Sequence, residues 1–181
     1  FSYMDVSTGE FRLTRLDNRA ALQDEIRRIR PLELLIPAES AESFDGSTEF
    51  SIKKLTPLPK YDFELDVAGE RLTGHFGTGS LDGFGCANLP EAVRAAGALL
   101  KYIKETQKAE LLYVKKVTPY FTGDYLILDH STRRNLEITQ NLRTGEKEGT
   151  LLALIDRTKT AMGGRRLRSW FLHPLKDVER I

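Results

Sequence analysis

Five acidic residues, Asp5, Asp62, Glu64, Asp66 and Asp82, are the side chains with which this chain could attempt a demanding reaction. Converging carboxylates can hold two metal ions and cut a phosphodiester bond. The first acid of such a site sits on an opening strand, and Asp5 has that position. An Asp followed by Ser7-Thr8-Gly9 also has a simpler use, accepting backbone N–H groups as the cap of a turn. No acid pattern repeats at helical spacing, so the turn cap is the favoured reading of Asp5. The nuclease alternative requires metal-dependent cutting of DNA or RNA that vanishes in Asp5→Asn.

Other chemistry finds less support. Gly77-Thr78-Gly79-Ser80-Leu81-Asp82-Gly83 is glycine-rich, but its spacing is G-x-G-x-x-x-G and it follows a helix pattern rather than a strand. It reads as a flexible turn before Phe84 packs into the core. His75, His130 and His173 are scattered, and with Cys86 as the single cysteine no Cys/His spacing suits zinc. No nucleophile–base pattern is present. Arg157, Lys159, Arg165, Arg166 and Arg168 form a basic cluster that could touch phosphates. Solvated helix faces and ion pairs with other domains account for it more simply. No residue is assigned as catalytic, cofactor-binding or metal-ligating.

The elements that must position these residues suggest a mixed α/β domain followed by a mainly helical part. Residues 1–16 read as a β-hairpin turning at Ser7-Thr8-Gly9. Asp17 or Asn18 then caps a helix whose Leu22, Ile26 and Ile29 share a face, and Pro31 stops it. Leu34-Leu35-Ile36 is a short strand. Residues 38–60, rich in Ser, Asp, Glu and Pro, read as a surface loop. A helix over 62–76 carries Ala68, Leu72 and Phe76 on one face, at a cost of roughly 1 kcal/mol each for Gly69 and Gly74. Residues 89–107 give the clearest helix, with an Asn88/Glu91 cap pattern, Pro90 in its first turn and Ala92, Ala95, Ala96, Leu99, Leu100 and Ile103 on one face. The small residues at one end let it approach a sheet closely. Leu111 to Val117 then reads as a strand, with a domain boundary at Thr118-Pro119.

After that boundary, Tyr125 to Leu128 reads as one more strand and the rest as helix. Leu151, Leu154, Ile155 and Thr158 share one helical face. Leu167, Trp170 and Phe171 form the apolar stripe of the last helix, flanked by Gly163 and Gly164, which permit close contact with another backbone. Arg165 and Arg168 point the other way. These helices read as incompletely buried, and the exposed stripe could drive self-association.

Bulk properties narrow the function classes. With 181 residues, the chain holds one full domain and part of a second. A net charge of +1 offers no bulk attraction to DNA or an anionic membrane. The longest apolar run, Leu151 to Ile155, is far short of the roughly 20 residues that span a bilayer. One cysteine allows no internal disulfide, which is compatible with a cytoplasmic protein.

Several motifs resemble, in order, a known family. Leu128-Asp129-His130-Ser131-Thr132-Arg133-Arg134-Asn135-Leu136-Glu137, Thr150-Leu151-Leu152 and Thr160-Ala161-Met162-Gly163-Gly164-Arg165-Arg166-Leu167-Arg168-Ser169-Trp170 resemble the start of the core (lever) domain of the MutS family, the DNA mismatch-recognition ATPases. Met4-Asp5-Val6-Ser7-Thr8-Gly9-Glu10-Phe11 is similar to the first hairpin of the MutS connector domain. Leu81-Asp82-Gly83-Phe84-Gly85, Ala95-Ala96-Gly97-Ala98-Leu99-Leu100-Lys101-Tyr102 and Thr106-Gln107 are similar to its end. The resemblance covers nearly the whole chain and leaves only about residues 38–60 without a signature.

The resemblance implies an RNase H-like connector at 1–118 and the first part of a core domain at 119–181. It implies a non-catalytic scaffold that relays ATP and mismatch signals and docks MutL. The mismatch-reading Phe-x-Glu element is missing, and Phe63-Glu64 has the wrong spacing. None of the 14 glycines belongs to a G-x-x-x-x-G-K-[ST] loop. With its start at Phe1 and end at Ile181, the chain reads as an excised piece, expected to be monomeric. ATP, magnesium, mismatched DNA and homodimerisation would belong to the full-length protein. The resemblance names no MutL-contact residue. Gly69, Glu70 and Arg71 are the candidates, because they face away from Leu72 and Phe76.

Overall fold

The hairpin forms where the sequence places it. In the computed structural model, β1 (Ser2–Asp5) pairs antiparallel with β2 (Glu10–Leu13), Ser2 opposite Leu13 and Asp5 opposite Glu10. Gly9 takes φ +73° at the turn, and a Cβ there would lie 3.1 Å from the Tyr113 ring. The structure describes residues 1–41, 44, 52–86, 88–108, 111–126, 128, 130–172 and 174–180. They fall into two units, Phe1–Tyr120 and Phe121–Ile181.

In the first unit, Phe11 and Leu13 of β2 point inward and are almost fully buried, as strand alternation requires. Asn18 caps α1 (Arg19–Ile29), its side chain accepting the Ala21 N–H at 2.8 Å. The helix ends at Arg30, which adopts φ +52°. β3 (Glu33–Pro37) follows.

The loop reading of 38–60 is corrected at its end. Lys54–Leu58 is a strand, β4, pairing parallel with β3 from Glu33–Lys54 to Pro37–Leu58. Pro57 concealed it, yet in a two-stranded sheet every strand is an edge and can present the missing N–H outward. Residues 42, 43 and 45–51 of that stretch lie outside the described residues.

The helix read over 62–76 splits into a 3₁₀ turn, Lys60–Phe63, and α2 (Leu65–Phe76), with Ala68 and Leu72 buried. α3 (Pro90–Gln107) begins one residue later than its cap pattern suggests: Leu89, not Asn88, is the N-cap, and no side chain caps it. Its small residues meet a helix, not only a sheet. An ideal Cβ on Gly97 would sit 2.4 Å from Ala68 Cα, so α2 and α3 touch backbone to backbone there. Around this contact Phe11, Leu13, Leu72, Ala92, Val93, Ala96, Leu100 and Ile103 form one core.

No strand occupies the described part of Leu111 to Val117. Leu111, Val114 and Val117 are buried while Leu112 and Tyr113 are exposed, a period of three that a pleated strand cannot produce. The strand is Thr118–Pro119 (β5), which joins β2 in parallel to give the order β1-β2-β5.

In the second unit, the strand read at Tyr125 to Leu128 reduces to one bridge between Tyr125 and Leu175, and Ile127 lies outside the described residues. Among the described residues three α-helices follow: α4 (His130–Asn135), α5 (Leu151–Ile155) and α6 (Ala161–Leu172). Residues 136–149 are turns rather than helix. Asn141 Oδ1 accepts the N–H groups of Arg143 and Thr144, and Gly145 takes φ +74°. The face read on α5 is corrected as well. Thr150 caps the helix and fixes its frame, Leu152 is buried with its N–H on Ile138 O, and Leu154 is 72% exposed. Gly163 and Gly164 lie against the side chains of Thr158 and Thr160, not against another backbone.

Candidate docking surface

The acidic residues do not assemble into a site. Asp5 closes its turn, with Oδ1 accepting the Ser7 N–H at 2.8 Å and the Ser7 hydroxyl at 2.5 Å. Asp62 is only 1% exposed and is gripped by Arg71 (2.7 Å) and Lys101 (2.9 Å). Burial pushes its carboxyl pKa up, but the hydrogen bonds and charges of Lys101 and Arg71 outweigh this and hold it below the usual range. Doubly neutralised, that carboxylate is poorly placed to serve a metal. Glu64, Asp66 and Asp82 are exposed, and among the described residues no group of three or more His, Cys, Asp or Glu could hold a metal ion.

The other motifs also have structural uses. Within the glycine-rich run, Ser80 Oγ donates to Asp82 Oδ2 at 3.1 Å, and the Phe84 ring packs tilted against Phe76, centroids 5.0 Å apart, at the edge of the core. His75 Nε2 lies 3.1 Å from Val114 O. His173 and the side chain of His130 lie outside the described residues. Arg157, Lys159 and Arg165 are exposed, and Arg166 lies over the Trp170 ring at 5.9 Å.

The candidate triplet is divided between two surroundings. Arg71 turns to Asp62 and sits 6.0 Å over the Tyr61 ring. Glu70 is exposed and Gly69 half-buried, and both line a groove of about 480 Å³. α2 contributes Leu65, Asp66, Gly69, Glu70 and Thr73 to it; Leu81, Cys86, Pro90 and Val93 form the facing wall. Burial pushes the Cys86 thiol pKa up, which keeps it protonated and unreactive.

Sequence reasoning had not paired Lys101 with Asp62, since 39 residues separate them. It also missed a polar knot in which Glu33 Oε1 accepts from Tyr102 Oη (2.6 Å), Lys54 Nζ (2.8 Å) and the Thr56 hydroxyl, tying the β3–β4 pair to α3. The groove did leave one trace in the sequence, since Asp66 and Glu70 stand four residues apart on a helix pattern.

The family model described as MutS domain II matches residues 1–115, and that described as MutS domain III matches residues 131–181. The chain belongs to the MutS family. Curated MutS relatives agree along its length. The DNA mismatch repair protein MutS of Thermosynechococcus vestitus is 43% identical over 192 residues, covering 99% of this chain and 22% of the relative. That of Symbiobacterium thermophilum is 44% identical over 183 residues, covering 98% and 21%. That of Trichodesmium erythraeum is 41% identical over 191 residues, covering 99% and 21%. The chain thus spans about a fifth of the length of these MutS relatives.

Proposed function

We propose that this chain is the connector and the opening of the core of a DNA mismatch repair protein, a scaffold that relays signals and docks MutL. The observation that carries this reading is the order of the two family matches on one chain, domain II at 1–115 and domain III at 131–181. The connector is assigned to 1–118, with an RNase H-like topology, and the start of the core to 119–181. An antiparallel hairpin joined in parallel by β5, with α2 and α3 packed beside it, supports that topology.

The chemistry of the chain supports a non-catalytic role. Among the described residues its buried carboxylates are committed to cations, Asp62 to Arg71 and Lys101 and Glu25 to Arg28, and its glycine-rich run is a turn. ATP hydrolysis with magnesium, mismatch recognition and homodimerisation belong, in this reading, to the remaining four-fifths of a MutS protein in the cytoplasm. Among the described residues no helix is long and apolar enough to cross a membrane.

The test is binding of this chain to purified MutL, with labelled homoduplex and mismatched DNA titrated in parallel. MutL binding without mismatch preference is expected. Selective binding to mismatched DNA with no MutL binding would overturn the assignment.

A further inference from the structure

We propose that the groove between α2 and the start of α3 binds a basic, partly apolar peptide segment of a partner protein. The inference rests on the docking role proposed above and adds the chemistry that the docking segment must have.

Leu65, Leu81 and Val93 supply apolar surface. Two polar groups in the wall are already satisfied within the fold. The Thr73 hydroxyl turns back on Gly69 O at 3.0 Å and Glu70 O at 3.2 Å, and Cys86 Sγ lies 3.7 Å from Phe84 O. Asp66 and Glu70 remain. Both are exposed, and among the described residues neither carboxylate has a hydrogen-bond or ion-pair partner. Four residues apart on α2, they stand about 6 Å from each other, spaced to share one cation. Among the described residues no Lys, Arg or His lines the groove.

Such a surface asks for a donor-bearing cation flanked by apolar side chains. Nucleic acid is disfavoured, because phosphates would face two carboxylates. The groove is open to solvent and runs along α2 from Leu65 to Thr73, which suits an extended or helical peptide better than an enclosed small molecule. Gly69 borders open space there, since a Cβ built on it meets nothing within 4 Å.

The experiment is a titration of the isotope-labelled chain with a short synthetic peptide of alternating Lys and Leu, followed by amide chemical shifts. A matching Glu-Leu peptide is the charge control. Shifts are expected to group at residues 65–73 and 81–93, and to weaken as salt is raised. Asp66→Lys with Glu70→Lys is expected to weaken binding by roughly tenfold or more. Gly69→Trp fills the groove and is expected to abolish binding, while Gly74→Ala, outside the groove, leaves it unchanged. If Gly69→Trp fails to fold, the charge-reversed pair decides, because both of its sites are exposed.

Scattered shifts, equal binding of the Glu-Leu peptide, or undiminished binding in the charge-reversed variant would overturn the proposal. MutL run against the same chains separates the two readings. Peptide binding at the groove without MutL binding removes the docking role and keeps the groove. MutL binding to parent and variants alike, without peptide binding, removes the groove and keeps the docking role.

Discussion

Asp62 shows how burial sets the importance of a single charge. Its carboxylate is nearly inaccessible, whereas Arg71 and Lys101 keep 22% and 31% of their side chains exposed. Removing the acid frees two cations that can reach water. Removing both cations strands a buried charge. Arg71→Met with Lys101→Met is therefore expected to cost about 3–5 kcal/mol, and Asp62→Asn only about 1–3 kcal/mol. Urea unfolding of the variants checks the order.

Asp156 supplies the pH dependence. Hydrogen bonds from Lys147 and from the Thr158 hydroxyl and N–H hold its carboxyl at about 2, against 3.8 for a free Asp. A carboxyl depressed by folding contributes stability above the unfolded value and loses it as pH falls through the folded one. The turn that leads into α6 should thus hold at pH 4 and loosen progressively as the pH falls from 3.8 to about 2. A carbonyl-carbon NMR titration should show the Asp156 midpoint rising toward 3.8 in Lys147→Met.

At the scale of elements, identical substitutions should have opposite effects on the two long helices. On α2, a Cβ at Gly69 or Gly74 meets nothing within 4 Å, and neither residue has positive φ. Each Gly→Ala change should stabilise by about 0.5–1 kcal/mol through helix propensity. On α3, the Gly97 Cβ would collide with the Ala68 backbone, with Ala68 O at 2.9 Å. Gly97→Ala should then destabilise by about 1–3 kcal/mol despite its better propensity, because two helices must move apart. Ala68→Gly should rescue it only in part, since Ala68 Cα stays 2.4 Å away. Thermal unfolding of these variants reads the sign directly.

For the whole molecule, the second unit leaves much apolar surface uncovered: Leu154 is 72% exposed, Trp170 60% and Met162 53%. Any departure from the expected monomer should be driven by this surface and appear as concentration-dependent sedimentation. Leu154→Lys with Trp170→Lys should suppress it while changing stability by no more than about 0.5 kcal/mol per site.

The sequence by itself determined what depends on neighbours along the chain. The β1–β2 turn at Gly9, the Asn18 cap, α2 and most of α3 follow from local spacing, turn chemistry and amphipathic period. Asp5's use as a turn cap was legible for the same reason, since its partners lie two to four residues away. Only the tertiary structure decided the rest. β4 exists because β3 supplies parallel partners to a Pro-containing stretch. Leu111, Val114 and Val117 turn inward without a strand because the core lies on one side of an irregular segment. Arg71 turns to Asp62, where Lys101, far away in sequence, joins it around a buried carboxylate. The groove came into view only when α2 and the start of α3 were set side by side. Long-range pairing and burial depend on which distant residues meet, and local propensity carries no information about that.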